Sequence, residues 1–98
     1  MKCGSEEERI VLSWFASQAS KVTCASKILL FGSRARGDAG DRSDFDFAID
    51  TPFPQKIAEL RAILEDNPYT LLSFDVVDLN SVSPEFRKRI ISESKPIV

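Results

Sequence analysis

Apolar positions recur at helical spacing in three stretches of the chain and form short strand-like runs in three others. Val11, Phe15, Ala19 and Val22, widened by Ile10 and Trp14, predict a first long helix. Ser5 is expected to cap it, with Glu6, Glu7 and Glu8 facing the positive end of its dipole. Lys27 to Phe31 is a short apolar run that predicts a buried strand, ended by Gly32-Ser33. Ser33 to Arg36 predicts one helical turn, stopped by Gly37, and Asp38 to Arg42 a polar loop around Gly40. From Asp44 to Asp50 the pattern alternates, with Asp44, Asp46 and Ala48 on one face and Phe45, Phe47 and Ile49 on the other, the core-facing side of a second strand.

Thr51-Pro52-Phe53-Pro54 reads as a turn leading into a helix. Ile57, Leu60 and Leu64, with Ile63 beside them, mark that helix, and Asp66-Asn67-Pro68 ends it. Leu71 to Leu79 predicts a third strand with Asp75 in its middle. Ser83-Pro84-Glu85 carries the capping serine, the first-position proline and the first-turn acid of a last helix. Its stripe is Phe86, Ile90 and Ile91, and Pro96-Ile97-Val98 is a terminal stub. The resulting order, α-β-(α)-β-α-β-α without repeats or linkers, predicts one α+β domain over residues 1–98: a small mixed sheet with helices packed on it as a two-layer α/β arrangement.

Composition narrows the chemistry. The chain has 98 residues, 43% of them hydrophobic and 29% charged, with a net charge of −2, so no global basic field favours nucleic acid. Histidine is absent, which removes histidine-based nucleophilic triads and histidine–zinc sites. Acid–base or metal work therefore falls to carboxylates, which suit hard ions such as Mg²⁺ or Mn²⁺. Cys3 and Cys24 follow no metal-type spacing and read as reduced thiols. The acidic start is unlike a signal peptide, and no apolar run approaches the ~18–20 residues needed to cross a bilayer. A cytoplasmic protein is expected.

The chemistry-bearing residues concentrate between Leu29 and Ile49. Residues two apart on a strand point the same way, so Asp44 and Asp46 stand side by side. Like charges so close raise each other's pKa unless a cation neutralises them. Taken alone, such a pair is a weak signal and more often a solvated strand face. Asp75 is poorly placed for packing between Phe74 and Val76. If its strand neighbours the Asp44 strand, three acids converge, and three carboxylates can clamp two metals about 3.5–4 Å apart. Asp78 falls on the opposite face and fits better as a loop-capping acid. Gly32 lets backbone approach a phosphate, and Ser33 adds a hydroxyl and the amide of a helix start. Arg34 and Arg36 put positive charge beside the turn, available to phosphate or to Asp38 and Asp41. No Walker A loop is present.

In the form Gly32-Ser33-Arg34-Ala35-Arg36-Gly37, then Ser43-Asp44-Phe45-Asp46, this stretch closely resembles the minimal nucleotidyltransferases of the DNA polymerase β-like superfamily, over roughly Lys27 to Leu79. The resemblance implies that Gly32 and Ser33 hold the β- and γ-phosphates of a nucleoside triphosphate. It implies that Asp44 and Asp46 bind two Mg²⁺ ions, with Mn²⁺ as the alternative. Asp75 would complete the first metal site and help deprotonate an incoming hydroxyl, which attacks the α-phosphorus and releases pyrophosphate. It further implies an antitoxin whose partner is a helical HEPN toxin, with AMP passed from ATP to a tyrosine of that toxin. Two rivals remain open: a non-catalytic binding module that neutralises its partner by contact, and transfer to a small molecule such as an aminoglycoside. The short chain leaves little to build an acceptor pocket, although homodimerisation would supply one.

Overall fold

The sheet of this protein is mixed, and one strand carries the change of direction. The computed structural model describes residues 3–37, 44–70 and 72–97. The expected loop at Asp38 to Arg42, the strand start at Leu71 and the terminal Val98 lie outside them. The elements are α1 (Cys3–Thr23), β1 (Lys27–Phe31), α2 (Ser33–Arg36), β2 (Phe45–Asp50), a 3-10 turn (Pro54–Lys56), α3 (Ile57–Glu65), β3 (Phe74–Asp78), α4 (Pro84–Glu93) and β4 (Lys95–Pro96). The strands lie in the order β3-β2-β1-β4. β1 runs antiparallel to β2 and to β4, and β2 runs parallel to β3. A parallel neighbour demands a long crossover, which the 3-10 turn and α3 supply.

Two apolar layers hold the sheet. On one face Val11, Phe15 and Ala19 of α1 and Ile57, Leu60 and Leu64 of α3 pack on Ile28, Leu30, Phe45, Phe47, Ile49 and Val76. Phe15 stacks on Phe47 with ring centroids 3.6 Å apart. On the other face Leu29, Phe31 and Ala48 meet Leu79 and Ile90, with Phe86 of α4 beside them. Burying such rings on both sides of two central strands is the main drive to fold. No helix among the described residues is long and apolar enough to cross a membrane.

Several element ends differ from the sequence expectation. Helical backbone begins at Cys3, so Ser5 lies inside the first turn of α1 and not at its cap. Ile10 and Ile91 face solvent, at 46% and 53% exposure, and drop out of their helical stripes. β3 starts at Phe74 because polar side chains upstream claim the backbone: Asn67 Oδ1 accepts the Tyr69 and Thr70 N–H groups, and Thr70 Oγ1 accepts that of Leu72. Pro96, expected to open a terminal stub, instead joins Lys95 in a short strand, β4, with Leu29 opposite Pro96 and Leu30 opposite Lys95. β3 forms one outer edge of the sheet, where Arg61 Nη2 donates to the Val76 carbonyl at 2.6 Å.

The cap of α4 is as expected. Ser83 Oγ accepts the Phe86 N–H at 3.2 Å, with Pro84 following at the first helical position. Ser83→Ala is expected to cost about 1 kcal/mol, since it leaves a helix-end donor without its side-chain partner. In a domain of this size that lowers the thermal midpoint by roughly 4–8 °C. An unchanged melting curve would show that solvent satisfies that amide equally well.

Candidate active site

Strand register brings the predicted acids to one end of the sheet. Antiparallel pairing sets Phe31, the last residue of β1, opposite Asp46 near the start of β2. Parallel pairing sets Asp75 of β3 opposite the same Asp46 on its other side. Asp46 thus sits between the Gly32-Ser33 turn and Asp75, on the sheet face that carries Phe31 and Ala48. Asp44 lies just outside the strand and is exposed, its Oδ1 accepting the Ser73 N–H at 3.2 Å. That bond links the lead-in of β2 to the lead-in of β3.

Electrostatics single out Asp46. Burial pushes its carboxyl above the usual value of 3.8, and the charges of Asp75, Asp44 and Glu93 push the same way, against the opposing pull of Arg36. A half-buried carboxylate among like charges is under-neutralised, the condition a cation relieves. Every nearby acid offers only oxygen, which suits a hard divalent ion. Among the described residues, however, no three such side chains are gathered closely enough to hold a metal. The acids share a neighbourhood without forming a ready cage.

Gly32 has no freedom to be anything else. Its φ of 78° and ψ of −157° lie in a region essentially reserved for glycine. A methyl built on it would overlap Asp46 Oδ2 and stand 3.2 Å from Asp46 Cγ. The turn and the acid therefore interlock. Ala35 and Arg36 N–H groups both donate to the Gly32 carbonyl, at 3.1 and 3.0 Å, and Gly37 closes the one-turn α2 in left-handed conformation. The Gly32 N–H itself donates to Glu93 Oε2 at 3.0 Å. Ser33 is half-buried, and its N–H and hydroxyl take no partner among the described residues.

The two arginines go separate ways. Arg34 is turned to the α1 side of the sheet, 11% exposed, with Nη1 2.9 Å from Glu8 Oε2 and its guanidinium carbon 4.2 Å from the centre of the Phe45 ring. Arg36 points to the acid side, where Nη1 donates to both oxygens of Glu93 at 3.2 and 3.3 Å. Asp78, expected to cap a loop, does so: its oxygens accept from the Asn80 N–H and the Ser81 hydroxyl at 3.0 and 2.8 Å. Glu93 is the residue that pattern reading missed. Its one local signal is an acid in the last position of a helix, where the dipole disfavours negative charge unless a partner compensates.

Comparison with known proteins agrees with this architecture. A family model described as polymerase beta, nucleotidyltransferase, matches residues 15–98. No curated protein matches the chain in sequence at a significant level. A solved structure described as a minimal nucleotidyltransferase is 25% identical, with a TM-score of 0.76 over 94% of this chain and 94% of its own. A chain from a toxin–antitoxin complex with AMP-PNP is 20% identical, with a TM-score of 0.69 over 89% of this chain and 72% of its own. A chain from the complex of tri-AMPylated HEPN toxin of Shewanella oneidensis with MNT antitoxin is 19% identical, with a TM-score of 0.56 over 97% of this chain and 71% of its own. The last two likenesses are likenesses of fold.

Proposed function

Because this chain belongs to the polymerase beta nucleotidyltransferase family, we propose that it transfers AMP from ATP to a hydroxyl of a helical HEPN toxin, as the antitoxin of a toxin–antitoxin pair. The observation that carries the reading is the placement of Asp46 between the Gly32-Ser33 turn and Asp75. Phosphate donors and acids then meet at one strand end, where a triphosphate needs both. The structural neighbours that are toxin–antitoxin complexes, one with AMP-PNP and one with a tri-AMPylated toxin, support the choice of nucleotide and partner.

In this reading Ser33 binds phosphate oxygens through its N–H and hydroxyl, with Arg36 adding positive charge from the acid side. Asp44, Asp46 and Asp75 are the residues that would hold Mg²⁺. Bound there, the metal would supply Lewis-acid stabilisation of charge developing on the phosphoryl oxygens. Asp75, exposed at the sheet edge, takes the proton of the incoming hydroxyl, a tyrosine of the toxin. The hydroxyl oxygen bonds to the α-phosphorus, the bond from that phosphorus to the bridging oxygen breaks, and pyrophosphate leaves. Arg34 is committed to Glu8 and the Phe45 ring, so its part is to seat α2 against the core.

The test is incubation of the purified protein with ATP labelled in the α-phosphate, Mg²⁺ and the helical protein encoded beside it. Label on a tyrosine of the partner is the expected result. One observation favours a second reading, neutralisation by contact alone: the acids are not drawn into a ready metal cage among the described residues. A protein with Asp44→Ala and Asp46→Ala that transfers no label and still neutralises the toxin would establish that alternative.

A further inference from the structure

Glu93 closes a gap in the sheet register. β4 pairs with β1 so that Leu29 faces Pro96 and Leu30 faces Lys95. Continuing that antiparallel ladder two steps sets Gly32 opposite Glu93, and the bond from the Gly32 N–H to Glu93 Oε2, at 3.0 Å, lies there. The side chain of Glu93 is 16% exposed. Its oxygens also accept Arg36 Nη1 at 3.2 and 3.3 Å, and Arg89 Nε stands 3.8 Å from Oε1. One carboxylate thus grips both ends of α2, the amide before it and the guanidinium at its last residue.

We propose that Glu93 is a positioning residue of the nucleotide site, one that locks the Gly32-Ser33 turn and aims Arg36 by tying both to the end of α4. The proposal rests on the nucleotidyltransferase reading above. A single helical turn is too short to hold its own shape, and α2 has no side-chain bond at its N-terminal cap. A glycine-only conformation persists only where its surroundings over-determine it. Glu93 supplies that determination from one side, as Asp46 does from the other. With the Gly32 amide already taken, Ser33 is the first residue of the turn with an amide and a hydroxyl to meet phosphate. The charge-assisted contact with Arg36, at 3.2 and 3.3 Å, draws that guanidinium toward the turn.

A rival geometry would have the Glu93 carboxylate standing in the place of a phosphate, to be displaced by nucleotide. Two substitutions separate the possibilities. Glu93→Ala removes every contact, whereas Glu93→Gln keeps a carbonyl oxygen for the Gly32 amide and loses the charge for Arg36. Without nucleotide, Glu93→Ala is expected to speed hydrogen exchange of the Gly32 amide about tenfold, while the Ala48 and Phe47 amides of the central strand β2 keep their protection; Glu93→Gln retains most of the Gly32 protection. With Mg²⁺ and α,β-methylene ATP, whose α–β linkage resists transfer, Glu93→Ala is expected to weaken binding about tenfold and Glu93→Gln by less. Unchanged Gly32 exchange in Glu93→Ala overturns the proposal. So does tighter nucleotide binding, which would reveal a competitor, or weakening that merely tracks the unfolded fraction. Failure of the unsubstituted protein to bind the analogue overturns the nucleotidyltransferase reading instead, and with it the nucleotide half of this inference.

Discussion

Asp46→Asn is expected to reduce nucleotidyl transfer by about 10²–10⁴-fold, the several kcal/mol that charge stabilisation at a phosphoryl centre contributes, while making the protein more resistant to heat. The two effects share one cause. Asp46 is half-buried among Asp75, Asp44 and Glu93, and its carboxyl is raised above 3.8 by burial first and by those charges second. Between 3.8 and the raised value, the folded state holds a proton that the unfolded chain has lost. Stability therefore falls as pH rises through that window, and the full penalty persists above it. Asparagine carries no charge and escapes the penalty. The gain in thermal midpoint from Asp46→Asn should be near zero below the ordinary carboxylate range and complete at neutral pH, in low salt without divalent ions. If the unsubstituted protein is the more stable of the two at neutral pH, the carboxylates do not repel one another as described.

Gly32→Ala is the second large effect, and it damages fold and site together. The backbone conformation at Gly32 is one that side-chain-bearing residues avoid, at a cost of roughly 1–3 kcal/mol. The added methyl also meets Asp46 Oδ2, on a half-buried side chain of an inner strand. Either the turn or the carboxylate must move, and a displacement near 1 Å at reacting groups can cost about 10²-fold in rate. Gly37→Ala is the internal control. Gly37 also has positive φ, at 86°, but among the described residues a methyl there meets nothing within 4 Å. It should lose only the left-handed penalty of about 1–2 kcal/mol and keep nucleotide binding. Equal melting curves and equal affinities for the two variants would remove the steric part of this account.

Much of this geometry was legible in the chain. The boundaries of β1 and α2 follow residue for residue from an apolar run, a Gly-Ser break and a second glycine. The inward face of β2 follows from Phe45, Phe47 and Ile49. Ala48 was less legible: alternation grouped it with the acids, yet it is fully buried, because a central strand has both faces covered. β4 left no pattern at all, since two exposed residues, one a proline, carry no periodicity and are recruited by the edge of β1. The role of Glu93 depends on a partner 61 residues away, a separation at which local patterns say nothing. Arg34 and Arg36 are indistinguishable by charge alone. One turn of helix sends them to opposite faces, where Arg34 meets Glu8 and the Phe45 ring and Arg36 meets Glu93.

The place of β3 at the rim of the sheet has a further consequence. A strand unpaired along one side presents its backbone groups there to any other extended chain, and proteins guard such edges with charge or with side chains that occupy the ladder. Here Arg61 occupies the Val76 carbonyl, and Asp75 and Asp78 set negative charge along the same strand. A second copy adding itself edge to edge would bring like charges together. Asp75 thus serves solubility by the same charge proposed to serve chemistry, and an alteration made to probe the one disturbs the other.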